Sequence, residues 1–311
     1  MVKRIFMSIL LSALLATGLV ACTDKAGLPE NEPGITPPPQ NSGNFEFTPK
    51  NYPKMGGSLA ALPLGQAVTA AALNISREET ADYIVFEGST TDNYRNLIRG
   101  DFNILLAYEP SEEAINEAKE QGFEWEMTPI GRDALVFITN KRNPVQDLSD
   151  AQIRGIYSGE VTNWNEVGGN DAEIIAYQRN KDSGSQTLFD KLLNLGEKLM
   201  TPPIEQIIGE MIGLLEVVAN YDNSPNALGY TVYYYLTNME PDKLSRSKIL
   251  AVNGVECNND TIRSGEYPYV NDFYVVIPAD LPDDSSARVL YKWICSEQGR
   301  ELAELENYVT R

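Results

Sequence analysis

The sequence predicts an α/β fold, and three observations predict it. From about Gly56 onward short apolar strands alternate with helical stretches. Hydroxyl residues stand at the expected helix starts and glycines at several of their ends. A hydrophobic content of 42% is enough to give the roughly 260 residues beyond a polar N-terminal segment a real core. The strand–helix alternation implies a mainly parallel sheet carrying helices on its faces.

The elements follow in order. Pro63 opens an Ala-rich helix to about Leu73, because a first-turn proline sacrifices no helical hydrogen bond. Gly88-Ser89-Thr90-Thr91 leads into a helix with Tyr94, Leu97 and Ile98 on one face; Thr90 or Thr91 is the expected cap and Gly100 the end. Residues 102–108 read as a buried strand. Ser111, with Glu112 and Glu113 in the first turn, starts a helix that Gly122 closes. A strand at 133–140, a short helix at 149–157, a strand at 173–178 and a helix from Ser185 come next. A long apolar helix is expected over 204–218, strands over 228–235 and 248–252, and a last strand over 273–277. Two C-terminal helices take Ser285 and Ser296 as caps. Tyr233, Tyr234 and Tyr235 fall in a strand, where neighbours alternate between faces, so packing or a hinge contact is expected of them.

The N-terminus sets the compartment. Lys3 and Arg4 precede an apolar run over residues 5–20 that ends in Leu19-Val20-Ala21-Cys22, the form of a signal peptide (1–21). A small residue directly before the cysteine resembles a bacterial lipobox, which would leave Cys22 as a lipid-bearing N-terminus; an uncleaved membrane anchor is the alternative. Residues 22–52, rich in Pro, Gly, Asn and Ser, read as a flexible tether. The folded part is expected outside the cytoplasm, held to the bacterial membrane by the lipid anchor alone.

Composition removes several functions. The chain has no histidine, which excludes a His-dependent triad and zinc–histidine clusters, and the cysteine spacing suggests no metal site. No cofactor is expected. The net charge of −19 argues against nucleic acid and anionic membrane surfaces as partners. Cys257 and Cys295 either pair in an oxidising compartment or stay as separately buried thiols.

The sharpest local signal runs from Tyr177 to Thr187, Tyr-Gln-Arg-Asn-Lys-Asp-Ser-Gly-Ser-Gln-Thr, between a strand and a helix. Amides at a helix N-terminus, hydroxyl donors and the guanidinium of Arg179 suit a tetrahedral oxyanion, and Gly184 permits close backbone approach. Two other turns repeat the chemistry, Gly57-Ser58 and Gly88-Ser89-Thr90-Thr91. All three lie at strand carboxyl ends, where α/β sheets bind ligands.

These residues carry a resemblance. The stretch from Asn143 to Phe189, with Asn163-Trp164, Gly168-Gly169, Arg179 and Ser183-Gly184-Ser185, resembles the second lobe of the phosphate-binding protein family of ABC uptake systems (PstS-like). The likeness continues through NALGYTVYYY and WICSEQGRELAELENYV, covering nearly all of the chain after the tether. It implies the two-lobed type 2 periplasmic-binding-protein fold, with two α/β lobes joined by a two-strand hinge and ligand in the cleft. Lobe 1 would comprise 53–128 plus about 271–311, and lobe 2 about 129–270. By the same resemblance Arg179, Ser183, Gly184 and Ser185 would contact the anion, with Ser58, the backbone around Leu62, Ser89 and Thr90 from the first lobe. Glu109 matches the family's carboxylate that accepts the phosphate proton, although Glu replaces Asp and Tyr108 replaces Ser. Ala61 stands where the family often has threonine, which removes a donor.

The implied function is capture of inorganic phosphate, or a related oxyanion, by a monomer that delivers it to ABC permease subunits without catalysis. The alternatives are a lipoprotein of the same fold that binds another ligand or acts in sensing or scavenging, and, remotely, a serine-based hydrolase.

Overall fold

The computed structural model describes residues 45–219 and 225–310. The expected signal peptide, Cys22 and most of the tether lie outside the described residues. The tether ends earlier than expected: Phe47 is only 9% exposed, the rings of Phe45, Phe47, Tyr52 and Tyr83 meet edge to face in sequence, and the Tyr52 hydroxyl lies 2.8 Å from Thr69 Oγ1. Aromatic residues dispersed in a polar stretch supplied the burial that its overall composition hid.

The first half of the chain builds β1 (Met55–Gly57), α1 (Leu62–Leu73), β2 (Ile84–Val85), α2 (Thr90–Ile98), β3 (Ile104–Ala107) and α3 (Glu112–Glu120). The long β4 (Trp125–Asn140) then crosses the molecule, followed by β5 (Asp147–Leu148), α4 (Asp150–Ser158), β6 (Ile175–Ala176), β7 (Gln178–Arg179) and α5 (Gly184–Leu193). After β8 (Ile207–Ile208), α6 (Met211–Ala219) and β9 (Ala227–Val232) come α7 (Pro241–Leu244), β10 (Ser247–Ile249), β11 (Ala251–Val252) and α8 (Asn259–Ser264). β12 (Val270–Pro278) returns, and α9 (Ser286–Ile294) and α10 (Glu297–Leu305) close the chain.

The fold is α/β and two-lobed, and its main sheet runs in the order β2-β1-β3-β12-β4-β9-β6, with β10 also on β4. Its two ends are parallel and its centre is antiparallel, so the sheet is mixed where the alternation predicted a mainly parallel one. The reason is β4 and β12. They pair with each other from Trp125 to Ala134, after which β4 passes to β9 over Leu135–Thr139. A register shift opposite Phe273/Tyr274 leaves Ile130 of β4 as an extra, bulged residue where the two strands run together between the lobes.

Three local expectations change. Ser89 caps α2, its Oγ accepting from the Asp92 amide at 3.0 Å, one residue before the expected Thr90. The helix expected over 204–218 is a 3-10 turn, the strand β8 and the shorter α6, because β8 pairs with β7. The strand expected over 228–235 ends at Val232, and Tyr233 and Tyr234 start a helical segment that continues as a π-helical turn at Tyr235–Met239. The Tyr234 ring stacks on Tyr308 and its amide donates to Asp133, which draws the backbone out of the sheet. Cys257 and Cys295 are free thiols, partly buried.

Candidate functional site

Three strand-to-helix turns meet at one cleft of about 480 Å³. From the β1 turn comes Ser58, whose amide donates to Leu106 O at 3.0 Å while its Oγ accepts from the Tyr108 amide at 3.1 Å. From the α2 turn comes Thr90, with Oγ1 3.0 Å from Ser58 Oγ. From the α5 turn comes Gly184, packed so closely on Thr90 that a Cβ there would fall 2.4 Å from Oγ1. The Thr91 amide also reaches Asp182 O at 3.4 Å. The lobes touch through the starts of two helices.

The two helix starts differ. Ser89 spends its oxygen on capping α2 and donates to Asp92 Oδ2 at 2.7 Å. Ser183 does not cap α5; its Oγ lies 3.0 Å from Ser185 Oγ. Among the described residues the first-turn amides of α5 therefore have no capping side chain, and they open at the positive end of the helix dipole.

Arg179 completes this side. It is 8% exposed, and its Nε and Nη2 donate to the carbonyls of Ile208 and Gly209, each at 3.0 Å, while Nη1 donates to Ser185 Oγ at 3.3 Å. Its amide donates to Tyr230 Oη and Gln186 Oε1. Among the described residues it makes no ion pair, and burial brings its pKa down to about 10, still cationic at neutral pH. A buried guanidinium held by neutral acceptors retains its full charge for a ligand.

A family model described as the PBP superfamily domain matches residues 51–298. The chain belongs to the PBP superfamily. It is 27% identical over 216 residues to the protein named phosphate-binding protein PstS of Borreliella burgdorferi, covering 68% of this chain and 75% of that one. A Clostridium perfringens protein described as a phosphate ABC transporter substrate-binding protein, solved with bound phosphate, superposes with a TM-score of 0.67 at 26% identity, over 84% of this chain and 100% of that one. An ABC-type phosphate transport receptor from Vibrio cholerae, 19% identical, shares the fold with a TM-score of 0.61, over 86% of this chain and 100% of that one.

In this PBP superfamily member the cleft is lined by Ser58, Ser89, Thr90, Arg179, Ser183, Gly184 and Ser185. It does not include Leu62 or Glu109. The Leu62 amide is used by the preceding turn, donating to Leu59 O. Glu109 pairs with Lys191 and accepts from the Tyr274 hydroxyl at 2.9 Å, and it lines two other depressions instead. Tyr108, the residue before it, occupies the cleft, and its amide is tied to Ser58.

Sequence reasoning missed several lining residues: Glu87, Asp92, Asn180, Asp182 and the segment Gly209 to Ile212. Asn180 and Asp182 stood inside the motif, but Gly209 and Glu210 were hidden in a helix expected to start too early. Also missed was Asn93, buried beneath the cleft, whose Nδ2 donates to the carbonyls of Gly57, Glu87 and Ser89 and so clamps two of the three turns together. Among the described residues the lining carries one cation, Arg179, against the carboxylates Glu87, Asp92, Asp182 and Glu210. The Ser89 hydroxyl, opposed by burial and helped by Arg95, holds Asp92 below the usual carboxylate range. Arg95 reaches Asp92 at 3.2 Å, Glu117 at 2.8 Å and, across the cleft, Asp182 at 3.8 Å.

Proposed function

We propose that the chain is an extracytoplasmic solute-binding protein that captures inorganic phosphate, or a closely similar oxyanion, for an ABC uptake system. The observation that carries this reading is the conjunction at one cleft of a helix start without a side-chain cap and a buried Arg179 that makes no ion pair among the described residues. An oxyanion satisfies both at once. The serine hydroxyls at 58, 183 and 185, with Thr90, are the proposed neutral donors; Ser183 and Ser185 have no histidine to activate them as nucleophiles. Relatives and structures named for phosphate binding support the choice of anion.

Attachment through Cys22, delivery to permease subunits and a monomeric state belong to the same proposal. So does the division into a first lobe of 53–128 plus about 271–311 and a second of about 129–270. No helix among the described residues is long and apolar enough to cross a membrane.

Thermal unfolding tests the reading. Phosphate at a hundredfold its dissociation constant should stabilise the protein by about 2.7 kcal/mol, a rise on the order of 5 to 10 °C for a chain of this size. Equal sulfate should leave the transition in place. No shift with phosphate would count against the anion.

The position of Glu109 changes the expected basis of selectivity. Since it lies outside the cleft, Glu109→Gln should keep the preference for phosphate over sulfate within about twofold, roughly 0.4 kcal/mol. Competition titrations check this, and a collapse of discrimination would return Glu109 to the anion.

A further inference from the structure

Asp133 sits where β4 leaves β12 for β9, 2% exposed. Among the described residues the ionisable groups that face it are Tyr108 after β3, Tyr233 and Tyr234 after β9, Tyr308 near the C-terminus and Cys257 before α8, and none of these is a cation. Next along the strand, Arg132 pairs with Asp272 instead, at 3.8 Å. A carboxylate buried without a counter-ion persists only where donors surround it. Here Oδ1 accepts from the amides of Ala134 at 2.7 Å and Tyr234 at 3.0 Å, Oδ2 accepts from the Tyr108 hydroxyl at 2.6 Å, and the Tyr233 amide adds a further donor.

The other end of Tyr108 lies in the cleft. Its amide donates to Ser58 Oγ, which bonds Thr90 Oγ1, and Thr90 packs on Gly184 of the opposite lobe. One continuous set of hydrogen bonds and contacts thus runs from the crossing strands to the cleft wall.

We propose that Asp133 is a positioning residue for anion capture: from the crossing strands it holds Tyr108 and the Tyr233–Tyr234 backbone together, fixing the Ser58–Thr90 pair and coupling it to lobe closure. The inference rests on the anion-binding reading of the cleft and deepens it. An ionised carboxylate accepts from all of these donors, whereas a protonated one must turn an oxygen into a donor and give up an acceptor position. Burial pushes the Asp133 carboxyl up to about 6, against the pull of the Tyr108 hydroxyl and the three amides. The exchange therefore falls in a reachable pH range.

The test compares wild type with Tyr108→Phe and Asp133→Asn. Tyr108→Phe keeps the ring and should weaken phosphate binding roughly tenfold at pH 7.5, the effect of one charge-assisted hydrogen bond. Between pH 7.5 and 5 the ratio of wild-type to Asp133→Asn affinity should decline, the titration of phosphate itself cancelling in the ratio. The fold carries the same signature. A raised carboxyl contributes stability that is full below its ordinary value of 3.8 and lost as pH rises through about 6, so the wild-type melting temperature should fall relative to Asp133→Asn over that interval. A merely structural role would give this second effect without the first.

A ligand-free measurement separates this inference from the choice of anion. With spin labels at the exposed Lys119 and Lys198, the inter-lobe distance distribution should change between pH 7.5 and 5 in wild type and stay constant in Asp133→Asn. If wild type fails to bind phosphate, the anion reading falls and this distance still decides. Equal affinities with a flat ratio, or distances that respond identically in both proteins, would overturn the role of Asp133.

Discussion

Arg179→Ala is expected to weaken phosphate binding by about 3 kcal/mol, roughly 150-fold. The size of the effect follows from the surroundings. Among the described residues that line the cleft Arg179 is the one cation, beside four carboxylates, within a chain of net charge −19, so no long-range field replaces it. Its guanidinium also holds the carbonyls of Ile208 and Gly209 and the Ser185 hydroxyl, so the truncation loosens the segment that leads into α6. Arg179→Lys separates the two contributions. It keeps the charge but cannot span two carbonyls and a hydroxyl with one planar fork, and an intermediate loss is expected. Titration of the three proteins with phosphate checks the order; wild-type affinity in Arg179→Ala would remove Arg179 from the site.

Gly184→Ala should produce the second largest loss, roughly tenfold to a hundredfold in affinity, by overpacking worth about 1.4 to 2.7 kcal/mol. Its new methyl would meet Thr90 Oγ1 at 2.4 Å and Thr90 Cβ at 3.1 Å, at the point where the two lobes touch. Threonine is stiff at χ1, and this hydroxyl is already bonded to Ser58, so it has no free direction in which to move. Either the lobes stay apart or the Ser58–Thr90 pair breaks. In a Thr90→Ala background Gly184→Ala should cost much less than it does in wild type, because the clash is with the Thr90 hydroxyl. An equal cost in both backgrounds would place the loss elsewhere.

Much of this was legible in the sequence because it depends on short-range chemistry. The Arg179 motif reads as a cradle since strand, turn and helix start are contiguous, and the hydroxyl turns at Ser58 and Thr90 announce themselves by composition. Glu109 shows where such reading stops. Its position one residue after Tyr108 is a matter of sequence, but which of the two faces the cleft is decided by pairing partners 82 and 165 residues away, Lys191 and Tyr274. Asp133 was invisible for the same reason: in the sequence it is the first residue of an apolar strand, and only the return of Tyr108 and Tyr234 makes it a junction. The early end of β9 has a comparable origin, since Tyr233 to Tyr235 alternate plausibly as strand until tertiary contacts with Asp133 and Tyr308 override local preference.

Calorimetric titration of the purified, ligand-stripped protein with phosphate, and separately with sulfate, tests the central claim most directly. Saturable binding of one phosphate per chain at micromolar affinity or tighter, with sulfate silent at the same concentration, is the result expected of a cleft built on Arg179 and the open start of α5. Silence toward phosphate, or equal heats from both anions, would contradict it.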